Sequence, residues 1–201
     1  MNEVLIEFTK KLREYGDEDY LEAFYSFLLA PVITGAKPAS ILTIKDCIRP
    51  MFSTWCCYGE EFLYKMELSS KILKELQNGI VVIIFSDDRL RKHLAVAENQ
   101  EFLSSFGYEN DFDISLNKLL ERYKNSVPPE CGIFLGIPKE DVEGYISKKQ
   151  VALNGYWKVY GNIDRAIRVF DIYDNSKKLV MENILQNKKL QDFYKEIINI
   201  Y

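Results

Sequence analysis

Lys37 lies in Thr34-Gly35-Ala36-Lys37-Pro38-Ala39-Ser40, where glycine and proline break regular structure and an amine and a hydroxyl stand three positions apart. A lysine in such a loop binds an anion when charged, and attacks a carbonyl when desolvation keeps it neutral; its plainer reading is a surface lysine beside a turn. The stretch is no phosphate loop. Gly-x-x-x-x-Gly-Lys-Ser/Thr depends on backbone N–H groups ahead of a helix, and Pro38 removes one of those donors. A second concentration of chemistry is Trp157-Lys158-Val159-Tyr160. Strand alternation puts Lys158 and Tyr160 on one face and Trp157 and Val159 on the other. One face then packs, and the other offers an ammonium donor beside a phenol that donates and accepts; an ordinary tyrosine-rich strand is the bland alternative. Cys131, flanked by Glu130, follows the Pro128-Pro129 break. A reactive thiolate needs a cation or base beside it, and the single histidine, His93, falls on a different element, so an inert buried thiol is expected and no catalytic pair is legible.

Metal and redox chemistry find less support. Cys47, Cys56, Cys57 and Cys131 contain no Cys-x-x-Cys spacing, and Cys56 and Cys57 on a strand would point to opposite faces. No metal site is expected, no disulfide is needed, and no cofactor is identified. Free thiols fit a reducing compartment, the cytoplasm. With 26 Lys+Arg against 30 Asp+Glu the net charge is -4, so a nucleic-acid partner, which would need a basic face, is not expected. The tight basic cluster Arg89, Arg91, Lys92 and His93 follows Asp87-Asp88 and reads as a solvated helix face. Acidic residues interrupt the N-terminal apolar residues, unlike a signal peptide, and no run approaches the roughly 18 uncharged apolar residues of a membrane span.

The elements that must position these residues follow from periodicity. At 201 residues and 47% hydrophobic the chain can bury a core, and it reads as a single globular domain over 1–201 with a C-terminal helical extension from about residue 174. Leu5, Phe8, Leu12 and Tyr15 form one helical stripe ending at Gly16, and Asp17-Glu18-Asp19 opens a second helix that Pro31 should end. Ile41–Ile44 reads as a strand. Phe62, Met66, Ser69, Leu73 and Leu76 recur at helical spacing, predicting a helix closed by Asn78-Gly79. Ile80-Val81-Val82-Ile83-Ile84-Phe85 has no polar alternation, so it is a central strand covered on both faces. Helices follow near 88–97, 99–106 and 114–124, then one opened by Pro138 with Val142, Tyr145 and Ile146 inward. Val151–Tyr160 has strand composition. Asn162 caps a helix facing the core with Ile163, Ala166, Ile167 and Phe170, and Leu190, Phe193, Ile197 and Tyr201 mark a last helix. The pattern is an α/β (or α+β) fold, a small central sheet flanked by several helices.

Two stretches go further. Pro129-Glu130-Cys131-Gly132-Ile133-Phe134-Leu135-Gly136-Ile137-Pro138-Lys139-Glu140-Asp141-Val142-Glu143-Gly144-Tyr145-Ile146 and Gly155-Tyr156-Trp157-Lys158-Val159-Tyr160-Gly161 resemble the signature of the domain-of-unknown-function 3793 family of anaerobic bacteria. Ala30-Pro31-Val32-Ile33-Thr34-Gly35-Ala36-Lys37 resembles its opening motif, so the likeness spans about residues 28–172. Pro129 stands where the family pattern has histidine, and Tyr156 where cysteine often precedes the tryptophan. A mechanism needing either group would fail in this chain. The resemblance implies a bacterial cytosolic domain and carries no activity with it.

The function read from these residues is a cytosolic ligand-binding or regulatory domain for a small anionic molecule, with Lys37, Ser40, Cys131, Trp157, Lys158 and Tyr160 as candidate ligand-binding residues and none as catalytic. The alternatives are an enzyme using Lys37 or Cys131 and a protein-interaction module built on aromatic-rich helices. If the Gly35–Ser40 and Gly155–Gly161 segments meet, Lys37, Lys158 and Tyr160 form one cationic rim for a carboxylate or phosphate; otherwise each glycine merely permits a turn. The sequence does not indicate an oligomeric state.

Overall fold

The β-branched run at 80–85 becomes the middle strand of a three-stranded antiparallel sheet in the computed structural model, which describes residues 2–188, 190–198 and 200–201. Strands β1 (Ala39–Lys45), β2 (Ser69–Leu76) and β3 (Gly79–Phe85) lie in the order β1-β3-β2. Because successive side chains of a strand face opposite ways, β3 serves two cores at once. Ile80, Val82 and Ile84 enter one, built from α1 (Asn2–Glu14), α2 (Asp17–Ile33) and α3 (Met51–Lys65). Ile83 and Phe85 enter the other, with α4 (Asp87–Leu94), α5 (Ala97–Ser104), α6 (Phe112–Asn125), α7 (Cys131–Phe134) and α8 (Lys139–Ile146). A two-stranded hairpin of β4 (Leu153–Asn154) and β5 (Lys158–Val159) follows, and α9 (Ile163–Leu185) and α10 (Leu190–Ile197) return to the first core. Helices cover both faces of an antiparallel sheet, which makes the fold α+β.

Several local readings change. Residues 69–76 form β2, not the end of a helix: α3 stops at Lys65, Glu67 takes φ 51, and Gln77-Asn78 turns the chain into β3 with Leu76 opposite Gly79. Asn78-Gly79 was thus a hairpin signal, as Asn-Gly between two strands commonly is. The helix-like spacing of Ser69, Leu73 and Leu76 arises because a bulge between Ile72 and Lys74 shifts the register around Leu73, the buried residue of an otherwise exposed strand. Cys56 and Cys57 are on α3 and exposed, where neighbours diverge by about 100° rather than alternating.

Pro31 does not end α2, which runs on to Ile33. Proline in the last turn deletes a single N–H, and the terminal carbonyls find other donors: Lys37 N–H to Pro31 O at 2.9 Å and Arg89 Nη2 to Val32 O at 2.7 Å. Arg89 and His93 therefore leave the solvated face assigned to their cluster, while Arg91 and Lys92 pair with Asp87 and Asp88 one turn back. Tyr145 and Ile146 point outward, as do Ile163 and Ile167, because α8 and α9 bury narrow stripes centred on Val142 and Ala166. Asn162 caps α9 by accepting from Arg165 N–H. Phe193 and Ile197 of the last stripe are buried and Tyr201 is exposed, whereas Leu190 lies outside the described side chains.

Candidate functional site

The two halves of the signature stretch, α7–α8 and the hairpin, are bound to each other through one carboxylate. Asp141 stands in the first turn of α8, 2% exposed. Its Oδ1 accepts from Tyr160 N–H at 2.7 Å and Gly161 N–H at 2.9 Å, and its Oδ2 accepts from Trp157 Nε1–H at 2.7 Å. All three donors belong to the strand-and-turn Trp157–Gly161, so this side chain sets where the indole and β5 lie relative to α8. Gly144 completes the fit: a Cβ there would come within 2.4 Å of Tyr160, so only glycine lets the Tyr160 ring seat on the helix.

That junction encloses a groove of about 320 Å³, lined by Val127, Pro128 and Pro129, by Cys131, Gly132, Leu135 and Ile137, by Asp141, Val142 and Tyr145 of α8, and by Trp157 and Lys158. The walls are mostly apolar. Asp141 brings a charge, but its oxygens are engaged by the hairpin. Lys158 is exposed, with its ammonium 5.9 Å from the centre of the Tyr145 ring, and it is the cation at the groove's edge.

Cys131 lies against the groove but is buried, and burial together with the charge of Glu130 pushes its thiol up to about 11. At neutral pH it is an uncharged thiol. His93 does not activate it: Nε2 is engaged with Ile133 O at 2.9 Å, and burial lowers the imidazole's proton affinity. Glu130, which sequence spacing did not single out, is 0% exposed; its Oε1 accepts from Arg122 Nε at 2.5 Å and Tyr108 OH at 3.1 Å. Burial and the Glu130 charge push the Tyr108 phenol up, so it stays a donor. This ion pair, buried at Glu130 and partly exposed at Arg122, ties α6 to the segment carrying Cys131.

Lys37 takes a different place. Its ammonium is 5.9 Å from the centre of the Tyr173 ring on α9. Tyr173 also meets Tyr156 edge-on at 5.1 Å and Trp157 at 6.3 Å. The Lys37 loop and the start of the hairpin turn thus meet over one ring. Lys158 and Tyr160 turn instead toward α8, and Ser40 is buried in β1 opposite Ile84. The cation that Lys37 does face is Lys177, one turn beyond Tyr173 on α9. Burial first and Lys177 second lower the Lys37 amine to about 8. A folded pKa below the unfolded one means that the unfolded chain binds more protons as pH rises from the folded value, so stability increases across that interval. Lys37 should therefore contribute a rise in urea stability from about pH 8 upward, opposed from about pH 8.5 by Cys131, whose thiol titrates later in the folded chain than in the unfolded one. Lys37→Met should flatten that rise, and a parental slope in the variant would contradict the assignment.

Among the described residues no helix is long and apolar enough to cross a membrane, and no three His, Cys, Asp or Glu side chains gather as a metal would require. The model of the family described as Protein of unknown function (DUF3793) matches residues 26–194. No curated protein and no solved structure matches the chain.

Proposed function

The chain belongs to the DUF3793 family, and we propose that it acts as a cytosolic ligand-binding or regulatory domain whose ligand is a small molecule with an apolar body and one anionic group. The observation that carries this reading is the groove of about 320 Å³ with apolar walls and Lys158 at its edge. Its volume lies at the lower end of small-molecule sites, and mostly apolar walls with few placed polar groups are the usual composition of such sites. An apolar body would rest on Leu135, Ile137, Val142 and Trp157, while Lys158 meets the charge. Four free cysteines, three of them exposed, agree with a reducing compartment.

The probe that fits this chemistry is 1-anilinonaphthalene-8-sulfonate, an aromatic anion, titrated against Trp55→Phe protein so that emission comes from Trp157 alone. Saturable quenching of Trp157 is expected. Lys158→Met should weaken binding about fivefold, the value of one exposed ion-pair contact of about 1 kcal/mol, and Val127→Phe, placed at the exposed rim, should block it without adding a second emitter. Binding unchanged in both variants would place the probe elsewhere and overturn the reading.

A further inference from the structure

We propose that Lys37 is an amine nucleophile for a small oxo acid, condensing with its carbonyl while Lys177 receives its carboxylate. The site is separate from the groove of Val142, Trp157 and Lys158, so neither reading depends on the other.

The loop that carries Lys37 is fixed on both sides of it. Lys37 N–H bonds Pro31 O at 2.9 Å, Gly35 N–H bonds Val32 O at 3.2 Å, and Ser86 N–H bonds Pro38 O at 3.2 Å. The residue is only partly exposed, and burial is the first cause that lowers its amine. Lys65, Lys92, Lys124 and Lys178 each have a carboxylate within ion-pair distance. Among the described residues Lys37 has none, and it faces the Tyr173 ring instead. Lys177 lies 4.6 Å from the centre of the Tyr156 ring and 5.4 Å from that of Phe27. The nearby acid on the same helix, Asp174, is engaged: its Oδ1 accepts from Tyr156 OH at 2.6 Å. Two ammonium groups therefore share an aromatic surround whose carboxylate is already in use.

Burial and a second cation are the two conditions that keep a lysine neutral enough to attack a carbonyl. The lone pair of neutral Nζ adds to the carbonyl carbon, and the C=O pair moves to oxygen, which takes up a proton. Nitrogen then loses a proton, its lone pair forms the C=N bond, and the hydroxyl leaves as water after protonation. Amine and carbonyl become imine and water, with no oxidant or reductant. A protonated imine retains positive charge beside Lys177, and with a neutral carbonyl compound Asp174, which also accepts from Tyr156, is left to offset two cations. A carboxylate on the same molecule offsets both charges, and this selects an oxo acid over a simple aldehyde.

The test uses the full chain at about pH 7.5, where the neutral fraction of an ordinary lysine is small. Glyoxylate or glycolaldehyde is added with cyanoborohydride, which reduces the imine to a stable amine, and labelled positions are mapped by peptide mass spectrometry. Glyoxylate should label Lys37 about tenfold faster than the exposed lysines. Lys177→Met, and Lys177→Gln as a second variant checked for native circular dichroism, should each slow that labelling several-fold. Labelling spread over exposed lysines with Lys37 no faster would overturn the proposal. So would selective labelling equal for both aldehydes and insensitive to Lys177. Lys37→Met should leave binding of 1-anilinonaphthalene-8-sulfonate unchanged, so failure here and failure of the groove are told apart.

Discussion

Val82→Asp and Ile84→Asp are each expected to abolish the folded state. Both side chains are essentially without exposure, 1% and 0%, and both strand neighbours of β3 cover them: Val82 lies between Leu42 and Ile72, and Ile84 between Ser40 and Ser70. On the face they enter, α2, α3 and α9 pack an apolar core against them. Aspartate there loses about 1.5–3 kcal/mol of apolar burial and adds several kcal/mol for desolvating an unpaired charge. Together these match or exceed much of the roughly 5–15 kcal/mol that holds a domain of this kind. Far-ultraviolet circular dichroism of soluble protein should lose the native spectrum, whereas Ile84→Val should remain folded at a cost of about 0.5–1.5 kcal/mol. A cooperative melt of either aspartate variant at the parental temperature would mean that β3 does not divide the two cores.

The same strand shows why some of this structure was legible in the sequence and some was not. A run buried on both faces needs no polar alternation, so 80–85 announces its own environment. β2 announces nothing comparable, since Leu73 alone is buried and the bulge beside it breaks the period of two that would mark a strand. Tyr145 has the right spacing to follow Val142 inward, but the hairpin takes up that side of α8 and Tyr145 is left 54% exposed beside Lys158. Cys131, Trp157 and Lys158 were conspicuous by residue type, and they line one groove. Lys37 was conspicuous too, yet its neighbours Tyr173 and Lys177 come from a helix far along the chain, and nothing local to residues 34–40 specifies them. Asp141 was missed for another reason. An acid in the first turn of a helix is favoured by the helix dipole in any protein, so its type and position look ordinary until the three donors from Trp157, Tyr160 and Gly161 are seen converging on it.

Asp141→Ala should consequently disconnect the hairpin from α8 without dissolving either core. The substitution leaves the Trp157 indole N–H and two backbone N–H groups without their acceptor, at about 1–3 kcal/mol for each donor that stays buried. The hairpin is short and lies at the surface, so it can carry those donors out to water; relief by local opening holds the total to a few kcal/mol, short of global unfolding. The melting temperature should fall by several degrees, since about 1 kcal/mol corresponds to roughly 2–4 °C in a chain of this size. In a Trp55→Phe background the emission of Trp157 should shift to the red and its quenching by 1-anilinonaphthalene-8-sulfonate should disappear. Asp141→Asn separates the two oxygens. Its amide oxygen can still serve Tyr160 and Gly161, but the amide nitrogen then faces the indole N–H, donor against donor, so the red shift should persist with a smaller loss of melting temperature. If both variants kept the parental emission maximum and melting temperature, Asp141 would not be the joint on which the groove is built.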